Sequence, residues 1–141
     1  MRKAILYLLA AVPIVGSCAE EAPHAGQPTP QAQSMRIMRA DVDTIRAFAQ
    51  GGTPAFEAEK AAKDLVAWSG KIGDLFPPDE APKQYLYMSS AMASGAPAAL
   101  RGTTEPLLAT VKTGDRAATS EQLARTQHDG CGYCHLQPYP Q

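Results

Sequence analysis

Two cysteines and a histidine fall within five residues, Cys131-Gly132-Tyr133-Cys134-His135. No other feature constrains the fold as much. Residues three apart on a helix share a face and lie about one turn from each other, so the two thiols stand side by side with His135 next in line. Cys-x-x-Cys-His is the attachment signature of a c-type haem. Thiols at this spacing reach the two vinyl groups on one porphyrin edge and form thioethers, and the adjoining imidazole of His135 is aimed at the iron. Axial histidine is one of the protein's levers on haem reactivity and potential. Six residues follow His135 in this sequence, so a second axial ligand is expected from upstream.

Three plainer readings of the motif compete. A structural zinc site needs two further good ligands, and Cys18, His24 and His128 have no zinc-finger spacing. A thioredoxin-like pair belongs after a strand in a βαβ unit, and no such pattern is present. A simple disulfide leaves His135 without a role.

Residues 1–17 read as a targeting segment. Arg2 and Lys3 precede an apolar run from Ala4 to Val15 that is short for a membrane span. Val15-Gly16-Ser17-Cys18 resembles a bacterial lipobox, which makes Cys18 the expected lipidation site and mature N-terminus. The competing reading is an ordinary signal peptide with Cys18 incidental. Lipidation accounts for the odd cysteine, two of the three carrying haem and one carrying lipid. Residues 18–30 hold Pro23, Pro28 and Pro30 and read as a flexible tether. His24 lies within it, read as solvated.

Removing residues 1–17 takes away two positive charges and moves the formal charge from −1 to −3. No basic patch for nucleic acid results. About 110 residues, 31–141, remain for one domain. Alanine is abundant and β-branched runs are scarce, which favours helices.

The first helix is expected from about Gln31 to Gln50, with Met35, Met38, Val42, Ile45 and Phe48 on one face. Gly51-Gly52 ends it. The second is expected to start from Thr53 as N-cap, with an apolar stripe including Phe56, Leu65, Trp68 and Ile72, and to stop at Pro77-Pro78. Residues 82–95 read as irregular or weakly helical, with Tyr85, Leu86, Met88 and Met92 available to cover a pocket. The third helix is expected between Ala96 and Thr113, with Pro106 marking either a kink or a late start capped by Thr104. Gly114-Asp115 form a turn, and the fourth helix runs from about Ala117 through the Cys-x-x-Cys-His motif. Short connections imply an all-α, antiparallel up-down four-helix bundle.

This order of elements resembles the class II c-type cytochromes, the cytochrome c′ and cytochrome c556 family, over residues 31–141. The haem motif, Phe56-Glu57-Ala58 opening helix two, Asp74-Leu75-Phe76-Pro77-Pro78 closing it, and Lys112-Thr113-Gly114-Asp115 before the haem helix carry the resemblance. It implies one covalently attached haem c and a distal residue from the first helix. In the c556 branch that residue is a methionine ligand; in the c′ branch it is an apolar residue that leaves the iron five-coordinate. Met35 falls nearest the ligand position, and Met38 at an apolar position packing on the haem. Both also suit plain core packing. Two departures stand out. Gln31 occupies the place of the family's arginine near a haem propionate, where Arg36 or Arg39 could substitute. The family's arginine after the proximal histidine is missing from His135-Leu136-Gln137-Pro138-Tyr139-Pro140. His128, one turn before Cys131, reads either as a haem-edge contact or as a solvated surface histidine.

The expected function is periplasmic one-electron transfer to redox partner proteins, with His135 and Met35 as axial ligands. Membrane contact is expected only through the lipid anchor, and a homodimer, common in the resembled family, is compatible with the second helix. The alternative is a five-coordinate, cytochrome c′-like binder of nitric oxide or carbon monoxide. A peroxidase-type enzyme needs a distal acid–base residue, for which the first helix offers only Asp41 and Asp43.

Overall fold

Pro30 opens the first helix. In the computed structural model, which describes residues 28–85 and 88–135, α1 runs Pro30–Ala49 with Thr29 as N-cap. The Ala32 amide donates to Thr29 Oγ1 at 3.1 Å. Proline is favoured at this first position because its missing N–H is one the helix could not use, so the tether gives way to helix one residue earlier than expected. Gly51 closes α1 with φ +89°. The Gly52 amide donates to the Ala47 carbonyl at 2.8 Å and the Gly51 amide to Phe48 at 2.9 Å, the paired bonds of a Schellman cap. Residues 1–17, expected to be a targeting segment, lie outside the described residues, as do Cys18, His24, Leu86 and residues 136–141.

α2 spans Ala55–Leu75 with Pro54, not Thr53, at the N-cap. Thr53 is one residue too early for its hydroxyl to meet a first-turn amide. Phe56 also departs from its expected place in the apolar stripe: it is 70 % exposed. At 100° per residue it lies opposite the buried Ala58. A short helix α3, Ala81–Gln84, follows, and Tyr85 tilts against Phe76 with ring centroids 5.5 Å apart.

α4 is longer than its sequence pattern suggested, Ser90–Thr113, and carries both Pro97 and Pro106 inside it. Ser89 caps it, accepting from the Met92 amide at 3.2 Å. Thr104 is therefore not a cap: it is fully buried, and its hydroxyl donates to the Leu100 carbonyl at 2.9 Å. Pro106 removes the amide that the Gly102 carbonyl would have received, and Gly102 lies at the surface, open to solvent. Gly114, at φ +75°, ends α4 and Asp115 caps α5, Arg116–Arg125. A π-helical turn, Thr126–Cys131, then leads into α6, Gly132–His135.

Among the described residues all regular structure is helical. α2 packs on α1 and α4, and α5 packs on α4 and α1. Ala58, Ala61 and Ala62 bring α2 close to its neighbours, and Ile45, Leu107, Val111 and Leu123 fill the interior. Burying each such aliphatic side chain contributes about 1.5–3 kcal/mol. The buried hydroxyls are satisfied locally. Ser69 donates to Val66 at 2.6 Å and Thr119 to Asp115 at 2.7 Å, which avoids the cost of an unpaired polar group. No helix among the described residues is long and apolar enough to cross a membrane.

Candidate functional site

The helix that ends the described chain does not run straight into the Cys-x-x-Cys-His motif. The π turn widens its last turn: the Gly132 amide donates to Gln127, five residues back. Single π turns within α-helices recur at functional sites. Two anchors hold this one. Thr126 is fully buried, and its hydroxyl lies 2.9 Å from the Gln122 carbonyl and 3.1 Å from the Thr103 carbonyl of α4. Gln122 Nε2 donates to the same Thr103 oxygen at 3.2 Å. Glycines allow the close approach. A Cβ on Gly130 would overlap Thr103 Oγ1, and one on Gly95 would overlap the Tyr133 hydroxyl.

So positioned, Cys131, Cys134 and His135 line a cavity of about 440 Å³. Its opposite wall is α1, which contributes Met35, Met38 and Val42. Leu65 and Ile72 of α2 and Ala96 and Leu100 of α4 complete the apolar lining. The polar lining comprises Arg39, Asp43 and Arg46 of α1 together with Thr126 and Gln127. Asp43 pairs with Arg46, and with Arg39 at 4.0 Å. A second cavity of about 210 Å³ adjoins the first and shares Met35, Ile72, Ala96, Cys134 and His135 with it.

Of the residues singled out in the sequence, Cys131, Cys134, His135, Met35 and Met38 thus share one cavity. Met38 is buried, Met35 half-buried, and His135 exposed at the edge. The two cysteines are free thiols. Burial pushes both above the ordinary thiol pKa; Cys131 further raises that of Cys134, while a backbone hydrogen bond partly offsets the rise at Cys131. Both therefore remain neutral thiols at physiological pH.

Other candidates sit elsewhere. His128 is 78 % exposed in its side chain and pairs with Asp129 at 2.7 Å, and it does not line the cavity. Gln31 donates to the Leu75 carbonyl at 3.3 Å and lines only the second cavity. Arg36 is exposed and away from both. Asp41 lies outside the cavity lining; burial and the nearby Asp64 raise its pKa to about 6, with Lys60 opposing. Among the described residues no group of three or more His, Cys, Asp or Glu side chains is arranged to hold a metal ion by itself.

The sequence reading missed Arg46 and gave Met88 only a covering role. Arg46 follows Met35 by eleven residues, three helical turns with a remainder of about 20°, so extending the α1 wheel places it on the cavity face. Met88 comes from the segment read as irregular, yet it is 6 % exposed and lines the second cavity. Nothing in its local spacing marks it, because its burial depends on where α3 and α4 bring the connection.

No protein-family model matches the chain, and neither a curated protein nor a solved structure does.

Proposed function

We propose that the chain carries one covalently attached haem c and serves as a one-electron carrier outside the cytoplasmic membrane. Cys131 and Cys134 form the thioethers, His135 is the proximal ligand and Met35 the distal one. The observation that carries this reading is the meeting of Cys131, Cys134 and His135 with Met35 and Met38 across a single cavity. Its volume falls in the range of about 300–1,000 Å³ usual for cofactor sites, and its lining is mostly apolar with a few polar groups at one side, as such sites are.

When bound, haem would supply one-electron exchange at iron, and ligation by Met35 beside His135 would raise its potential. The chain's own part is to hold both ligands at fixed positions and keep water from the apolar faces. We read the ring of contacts α1–α2–α4–α5 as an antiparallel up-down four-helix bundle, and the chain as a class II c-type cytochrome of the c556 kind. Arg2, Lys3 and the apolar run before Cys18 support export and lipid anchoring.

The test is denaturing mass measurement of the full chain matured in cells competent for haem attachment. A single added haem mass lost in a Cys131→Ala, Cys134→Ala double variant supports the reading. The unmodified chain mass from the same cells refutes it.

A further inference from the structure

Glycine weakens the interior of a helix relative to alanine, and α4 carries two, Gly95 and Gly102. Neither has a positive φ; among the described residues only Gly51 and Gly114 do. The two differ in what surrounds them. A Cβ on Gly102 would meet nothing within 4 Å, whereas one on Gly95 would overlap the Tyr133 hydroxyl and lie 2.9 Å from Tyr133 Cζ. The missing side chain at Gly95 is therefore a notch in α4, and the phenol ring fills it.

That ring belongs to the turn that carries the motif. Of the four residues of α6, Gly132 has no side chain, and Cys134 and His135 line the main cavity. Tyr133 lines neither cavity; it is half-buried and packs on the core. His135 needs such a hold. It is exposed at the cavity edge, so packing around its own ring does not fix its direction. The upstream anchor, Thr126 on the Thr103 carbonyl, lies nine residues before it, with the π turn between. At 100° per residue the imidazole stands about 200° around α6 from the phenol, so a rotation that unseats one swings the other. We infer that Tyr133, seated in the Gly95 notch, is a positioning residue for His135: it fixes the rotation of α6, and with it the direction and plane in which the imidazole meets the iron. This rests on the haem reading.

The test is electron paramagnetic resonance of the ferric, haem-loaded protein, with loading checked by denaturing mass and helix content by circular dichroism. The g values of a low-spin haem follow the plane of its axial imidazole, which overall stability does not set. Gly95→Ala pushes the ring out of the notch and is expected to shift them. Gly102→Ala, the same substitution on the same helix, should leave them in place, and so should Tyr133→Phe, which keeps the ring seated. Adding Tyr133→Phe to Gly95→Ala removes the oxygen that overlaps the new methyl and should return the g values toward those of the wild type. A Gly95→Ala protein whose g values match those of Gly102→Ala overturns the inference and leaves the haem reading standing. So does a shift that Tyr133→Phe fails to reduce. If Gly95→Ala takes up no haem, the double variant decides: recovered loading supports the inference, and no recovery overturns it. A wild-type chain without attached haem overturns both.

Discussion

The hydroxyl of Thr126 lies 3.1 Å from the backbone carbonyl of Thr103, and this contact ties the segment that carries the two cysteines to the middle of α4. The same carbonyl also accepts from Gln122 Nε2 at 3.2 Å. The π turn starts at this anchor.

Replacing Thr126 with valine keeps the shape and removes the donor. We expect a loss of about 1–2 kcal/mol in unfolding free energy, read by urea denaturation. The loss should shrink in a Gln122→Ala background if the two side chains act together on the Thr103 carbonyl.

Gly130 and Gly102 give opposite outcomes for the same substitution. A methyl at Gly130 meets Thr103 Oγ1, whereas nothing stands near one at Gly102. Gly130→Ala is expected to cost about 1–3 kcal/mol and to lower the yield of attached haem. Gly102→Ala, on an exposed helical face, should stabilise by about 0.5–1 kcal/mol. Thermal unfolding of the two variants side by side checks both signs.

Asp41 makes stability depend on pH. One of its carboxylate oxygens is buried without a hydrogen-bond partner, and its pKa in the folded protein is raised to about 6 from 3.8. Over that interval the folded state binds more protons than the unfolded state. Its contribution is therefore fully present below about pH 4 and is lost as pH rises through about 6. Water screens a partly exposed group, so the effect is about 1 kcal/mol. Asp41→Asn should flatten this slope and be the more stable protein at pH 8, measured by denaturation across the range.

The parts of this molecule legible from its sequence are those decided locally. Gly51 and Gly114 punctuate helices because their backbones take positive φ. The face holding Met35, Met38 and Val42 follows from the helical period alone. What was not legible depends on partners far away in the chain. α4 absorbs Pro97 and Pro106 because packing against α2 outweighs the local cost of proline. Phe56 stands among the apolar residues of the second helix in sequence, yet the face that α2 buries against α1 and α4 is that of Ala58, and Phe56 lies opposite it. The π turn has no sequence signature. Gly130 meets Thr103 and Tyr133 meets Gly95 only where α4 lies beside this segment.

The most direct test of the account is the optical spectrum of the purified, haem-loaded chain, oxidised and reduced, with and without carbon monoxide, beside Met35→Ala. Met35 and His135 as axial ligands require low-spin bands, a weak far-red sulfur-to-iron band and indifference to carbon monoxide in the wild type, all three lost in Met35→Ala. A high-spin wild-type spectrum that shifts with carbon monoxide would contradict the account and replace the electron carrier with an open-site gas binder. A low-spin spectrum unchanged by Met35→Ala would contradict the assignment of Met35.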